Sequence, residues 1–154
     1  MGECDFGKDV IPTMVQRGAY VHAFPFRNAS GRPRYWRDIG TLDSYYAASM
    51  DLVEARSHSN VAAASGSALR DVTVRRSILG AGAIVEKGAV IDEAVLFDSV
   101  RVGRGASIHR AILDDGVQVA AGATIGLDLD KERSRFTVTD GGVVVVPRGV
   151  VVEA

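Results

Sequence analysis

The sequence predicts an α+β segment followed by a parallel β-helix, and three observations carry that reading. Branched aliphatic residues recur at Val72, Ile78, Ile84, Val90, Leu96, Val102 and Ile108, each six residues after the last, and resume at Leu113, Val119 and Ile125 after a step of five. A period of six drifts out of phase with any helical heptad, whereas a β-helix of flat six-residue sides places one inward aliphatic on each side. Ahead of this train, residues 1–58 alternate helical and extended patterns, and residues 59–71 are small and polar with little periodicity, which reads as a linker.

In order along the chain, Asp5 is placed to cap a short helix from about Lys8 to Gln16, with Pro12 near its first turn and Gly18 as its left-handed stop. Ala19 to Phe24 has the aromatic and β-branched content of a strand. Asn28 to Pro33 is turn chemistry, and Tyr35 to Ile39 resumes as an extended segment closed by Gly40. Thr41 then caps a helix whose apolar members Leu42, Tyr45, Tyr46, Met50 and Val53 share one face of a 3.6-residue period. In the repeat, glycines such as Gly80, Gly88 and Gly105 suit tight corners. Asp128 to Arg133 reads as a solvated turn, and Phe136 to Pro147, with Asp140-Gly141-Gly142 at its tip, reads as a hairpin able to cap an otherwise open stack.

A hydrophobic share of 47% in 154 residues is enough for a real core. The formal net charge of −1, with acids and bases interspersed, gives no electrostatic footprint for nucleic acid or an anionic membrane. No apolar run approaches a membrane span or a secretory signal, and Cys4 is the only cysteine, so the expectation is a cytoplasmic protein without a disulfide framework.

Asp5-Phe6-Gly7-Lys8-Asp9-Val10-Ile11-Pro12 resembles the D-F-G-K-D-[IL]-I-P segment of bacterial glucose-1-phosphate adenylyltransferases, and Tyr35-Trp36-Arg37-Asp38-Ile39-Gly40-Thr41 resembles their Y-W-R-D-[VI]-G-T segment. The continuation into Tyr45-Tyr46-Ala47-Ala48-Ser49-Met50-Asp51-Leu52, the hexapeptide repeat, Ile125-Gly126-Leu127-Asp128 and Arg135-Phe136 are also similar to that family. The resemblance implies that residues 1–58 are the end of a Rossmann-like nucleotidyltransferase domain and that residues 72–154 form a left-handed parallel β-helix with a terminal hairpin. The family joins glucose 1-phosphate to ATP with Mg²⁺, giving ADP-glucose for glycogen and pyrophosphate. By resemblance, Asp38 is the catalytic and metal-holding carboxylate, and Asp5, Phe6 and Trp36 line the glucose 1-phosphate pocket.

The family's amino-terminal half, with its Gly-rich nucleotide loop, a second metal-binding Asp and a Glu-Lys pair that meets the sugar phosphate, has no counterpart in these residues. Glu86-Lys87 lies inside the repeat train and does not inherit that role. The family's connector before the β-helix is also missing near Arg56-Ser57-His58. The expectation is a chain that is inactive alone, with two alternatives: a β-helix assembly or regulatory module that forms homo-oligomers or pairs with full-length subunits, and a hexapeptide acyltransferase using His109 as base. Without the resemblance, Asp38 would be read as a turn cap before Gly40, and His109, one residue after Ile108, as a solvated outward side chain.

Overall fold

A computed structural model describes residues 4–55, 61–63, 66, 68–69 and 71–154 of the chain. His58 and residues 59–60, 64–65, 67 and 70 of the expected linker lie outside the described residues, and within that linker Val61–Ala63 and Ala68–Leu69 are strands. By contact the chain divides into two compact units, Met1–Trp36 and Arg37–Ala154.

The first unit holds little regular structure. Phe6–Val10 forms a wide helical turn in which the Val10 and Ile11 N–H groups donate five residues back, to the carbonyls of Asp5 and Phe6. It runs into α1 (Ile11–Gln16), with Pro12 in the first turn, where its missing N–H costs no helical bond. Gly18 follows at φ 69°. The expected strand at Ala19 to Phe24 is not formed: among the described residues this stretch pairs with nothing, and the unit's single bridge joins Arg27 and Pro33 across the Asn28 turn. A strand needs a partner for its alternating N–H and C=O groups, and the first unit supplies none. The turn itself forms as expected, with the Asn28 side chain accepting from the N–H groups of Ser30 and Arg32.

The second unit opens with α2 (Leu42–Ala55). Thr41 caps it: the Ser44 N–H donates to Thr41 Oγ1 at 3.1 Å, and the Thr41 N–H donates to Ser44 Oγ at 3.0 Å. The strands that follow are β1 (Val61–Ala63), β2 (Ala68–Leu69), β3 (Thr73–Arg75), β4 (Ser77–Leu79), β5 (Ile84–Val85), β6 (Val90–Leu96), β7 (Arg101–Val102), β8 (Ser107–Leu113), β9 (Gln118–Val119) and β10 (Thr124–Ile125). After α3 (Leu129–Arg133) come β11 (Thr137–Val138), β12 (Val144–Val146) and β13 (Val151–Val152). All pairings are parallel except that of β11 on β12, the expected terminal hairpin. The result is a β-solenoid of about three turns.

Its register corrects the six-residue frame. Ile91 pairs with Ile108, Ala94 with Ala111 and Val85 with Val102, so one coil takes 17 residues. Two sides advance by six residues and one by five. The inward train is therefore Leu79, Val85, Ile91, Leu96, Val102, Ile108, Leu113, Val119 and Ile125, all buried. Val72 does pack against this core, but Ile78 belongs to a second cluster with the α2 residues Tyr46 and Met50, Ile84 lies outside the core, and Val90 is 39% exposed. All three corners of a coil carry a left-handed residue, but at the short one it is a single residue, Arg76, Glu93 or Arg110 at φ 42°, 51° and 44°, the latter two inside continuous strands, whereas Gly82, Ser99 and Gly116 and Gly88, Gly105 and Gly122 sit in separate turns. The five-residue step at Leu113 is thus a regular feature of every coil.

α2 buries Tyr46, Ser49, Met50 and Val53, and its aromatic and sulfur side chains meet Val95, Ile112 and Val143 on the solenoid's outer face. Burial at that depth contributes about 1.5–3 kcal/mol per large apolar side chain. The run at 128–133 also departs from the solvated turn expected of it. It forms α3, capped by Asp128, and Glu132 is 1% exposed. The Glu132 carboxylate accepts from the Gly126 N–H at 3.1 Å and from Arg135 Nη2 at 2.8 Å, which satisfies a buried charge where the last coil is interrupted.

Candidate functional site

Each residue singled out in the sequence has a definite place in its own unit. Asp5 caps the wide turn: its Oδ1 accepts from the Lys8 N–H at 2.7 Å, while the Asp5 N–H donates to Asp9 Oδ2 at 2.8 Å. The two carboxylates of the Asp-Phe-Gly-Lys-Asp run thereby brace the turn that presents Phe6, which is 75% exposed. Trp36, at the end of the first unit, is 76% exposed. No residue of the wide turn or of α1 is buried.

Asp38 begins the second unit's path into α2. Its Oδ1 accepts from the Gly40 N–H at 3.1 Å, the compact turn that an aspartate two residues ahead of a glycine makes locally. Its neighbour Arg37 pairs with Asp51 of α2 at 2.8 Å, which ties the segment back onto the helix it precedes.

The cleft beside α2 was not read from the residue pattern. A cavity of about 530 Å³ is bordered by Asp43, Tyr46, Met50 and Glu54 from the helix and by Arg76, Glu93 and Arg110 from the solenoid. The last three are the left-handed residues of the short side, stacked in register. Glu93 accepts from Arg76 Nη1 at 2.8 Å and from Arg110 Nη1 at 3.4 Å, and Arg76 reaches Glu54 at 2.7 Å. The Arg110 guanidinium lies over the Tyr46 ring, and the Tyr46 hydroxyl donates to the Glu93 carbonyl at 2.7 Å. Burial, reinforced by the Glu93 charge, pushes the Tyr46 phenol up to about 12. A five-residue step recurring every 17 residues was the signal that could have placed these side chains on one edge.

The remaining candidates are ordinary. His109 stands opposite Asp92 on the neighbouring coil, with Nδ1 to Oδ2 at 3.7 Å and both side chains about one-third exposed, a loose ion-pair geometry. Glu86 and Lys87 occupy a solenoid corner, where Lys87 pairs with Asp71 at 3.4 Å. Among the described residues no group of three or more His, Cys, Asp or Glu is arranged to hold a metal ion, so these residues do not build a cation cage by themselves. A single carboxylate such as Asp38 still fits the way Mg²⁺ is commonly held, by one or two carboxylates with substrate phosphates and water completing the shell. Among the described residues no helix is long and apolar enough to cross a membrane.

A family described as GlmU-like, C-terminal hexapeptide matches residues 49–146, and a nucleotidyl transferase family matches residues 2–55. The chain is 40% identical to the glucose-1-phosphate adenylyltransferase of Mycolicibacterium smegmatis over 95% of its own length and 44% of that protein's. It is 36% identical to that of Rhodopirellula baltica (94% and 41%) and to that of Deinococcus radiodurans (96% and 45%). The chain thus spans less than half the length of the relatives it matches. These alignments run over 179 to 186 positions against a chain of 154 residues, so each relative carries at least 25 residues inside the matched span that this chain lacks. With a solenoid of hexapeptide type built on the register described above, the chain belongs to the GlmU-like, C-terminal hexapeptide family and matches part of the glucose-1-phosphate adenylyltransferases.

Proposed function

We propose that these residues form one edge of the sugar-phosphate site and the solenoid portion of a glucose-1-phosphate adenylyltransferase acting in glycogen synthesis in the cytoplasm. The observation that carries this reading is the match to such enzymes over about 95% of the chain, together with the nucleotidyl transferase match over residues 2–55, which contain both the Asp-Phe-Gly-Lys-Asp and the Tyr-Trp-Arg-Asp segments. In the reaction, a phosphate oxygen of glucose 1-phosphate bonds to the α-phosphorus of ATP as the bond to the bridging oxygen of the β-phosphate breaks, and pyrophosphate departs. When bound, Mg²⁺ neutralises charge on the phosphates. Asp38 offers that cation a carboxylate oxygen, Oδ2 being the one its local turn does not engage. Asp5 accepts from sugar hydroxyls, and the faces of Phe6 and Trp36 pack against the sugar's C–H surface. Residues 1–58 belong functionally to the nucleotidyltransferase domain and 72–154 to the β-helix, onto which the strands Val61–Ala63 and Ala68–Leu69 of the intervening 59–71 pair.

No Gly-rich nucleotide loop occurs in the 154 residues, so the ATP site must come from elsewhere and the chain alone is inactive. The experiment is a pyrophosphate-release assay with ATP, glucose 1-phosphate and Mg²⁺, run on the chain alone and mixed with the amino-terminal half of a relative. Turnover only in the mixture, lost in Asp38→Asn, is the expected result. Turnover by the chain alone would overturn the incompleteness argument, and a mixture indifferent to Asp38→Asn would overturn the assigned role.

A second reading, an assembly module that forms homo-oligomers or pairs with full-length subunits, is favoured by the contrast between a fully packed solenoid and a first unit rich in exposed aromatic side chains. Concentration-dependent co-purification with a full-length subunit supports it, and a monomer indifferent to that subunit sinks it.

A further inference from the structure

We infer that Asp43 is a positioning residue that fixes the Asp38 turn to the terminal hairpin of the solenoid. Asp43 lies in the first turn of α2, five residues after Asp38, yet its carboxylate is spent on residues almost a hundred positions away. Oδ1 accepts from the Thr139 hydroxyl at 2.5 Å and Oδ2 from the Gly141 N–H at 3.2 Å. Thr139 Oγ1 in turn accepts from the Val143 N–H at 3.0 Å, so the hydroxyl that grips the helix also closes the tip between β11 and β12. Gly141 is held from its other side, its carbonyl accepting from Arg110 Nη2 at 2.8 Å. The approach leaves no room for a side chain: a Cβ on Gly141 would stand 2.6 Å from Asp43 Oδ1.

The geometry runs without a break from this clasp to Asp38. The Thr41 and Ser44 capping pair stiffens the helix start, the Arg37–Asp51 ion pair anchors the residue before Asp38, and the Asp38–Gly40 turn closes the gap. A short charged hydrogen bond and a capped helix start hold a turn more firmly than exposed backbone can. The solenoid's last hairpin therefore sets where the Asp38 carboxylate stands. The importance of that placement for adenylyl transfer rests on the reading proposed above, but the clasp itself can be tested without it.

The test is amide hydrogen exchange on the full chain, comparing Gly40, Thr41, Ser44 and Tyr45 with the core amides of Ile91 and Ile108. In Asp43→Ala the first group exchanges about tenfold faster or more while the core group is unchanged, the pattern of a local opening. Asp43→Ala also removes a favourable charge from a helix N-terminus. Thr139→Val separates the two causes, because it removes the shorter bond of the clasp and leaves the charge; it loosens the same four amides, and Thr139→Ser restores them. Unchanged exchange in Thr139→Val, or uniform acceleration that includes Ile91 and Ile108, overturns the inference. Neither result bears on whether the pyrophosphate assay succeeds, so the two readings fail independently.

Discussion

Replacing Ile108 and, separately, Ile84 by alanine tests the 17-residue frame directly, because the two residues belong to the same six-residue train in the sequence and to opposite sides of the wall in the structure. Ile108 is 1% exposed and stacks in register between Ile91 and Ile125, both buried. Ile→Ala removes three carbon atoms, about 2.5 kcal/mol of transfer free energy at about 0.8 kcal/mol per buried methylene. The column above and below is held by backbone ladders and cannot collapse into the void, so a cavity cost of about 1 kcal/mol adds, for a total of about 3–4 kcal/mol. Ile84 is half-buried on an outer groove beside Arg101 and Gln118, where solvent fills the space, and its loss costs about 1 kcal/mol or less. Equilibrium urea unfolding followed by far-ultraviolet circular dichroism reads both. Equal losses, or a larger loss at Ile84, would refute the frame and return the inward side to the train that passes through Ile78, Ile84 and Val90.

Glu132→Ala leaves the Gly126 N–H without its acceptor and Arg135 without its partner, and is expected to cost about 3 kcal/mol in the same assay; a loss below about 1 kcal/mol would mean that the carboxylate is not the keystone of the last coil. Gly126→Ala should cost about 3 kcal/mol or more, since Gly126 sits at φ 80° and a Cβ there would lie 1.8 Å from the His109 carbonyl oxygen; wild-type stability would show that the coils can part at no cost. Because the Tyr46 phenol is raised to about 12 in the folded protein against 10 when free, the folded state keeps its proton while the unfolded state loses it. The stability this contributes is whole below pH 10 and is lost as pH rises from 10 through about 12. Ultraviolet titration near 295 nm should show one tyrosinate step near pH 12 that disappears in Tyr46→Phe; no missing step in that variant would refute the burial argument.

The legibility of the fold varied with the range of the interaction. The Asp5 cap, the Gly18 stop, the Asn28 turn and the Thr41 capping box formed as read because each is settled within four or five residues. The strand expected at Ala19 to Phe24 failed because pairing depends on a neighbour that the local sequence does not name. Asp38 kept the local turn that its spacing from Gly40 dictates, so that reading and its family role are compatible: the turn engages one carboxylate oxygen.

By itself the sequence determined that a β-solenoid follows a mixed segment, that a hairpin lies near its end, and which family it joins, since periodicity and motifs are properties of neighbouring residues. Only the tertiary structure decided which aliphatics face inward. That choice depends on the five-residue side, where single non-glycine residues, Glu93 and Arg110, bend the chain left-handed inside a continuous strand, a conformation no residue-type pattern announced. It also decided that α2 packs on the solenoid and that Asp43 meets Thr139 and Gly141. Contacts between residues so distant in sequence are fixed by how coils stack, and stacking is set by the sum of the turns rather than by any one of them.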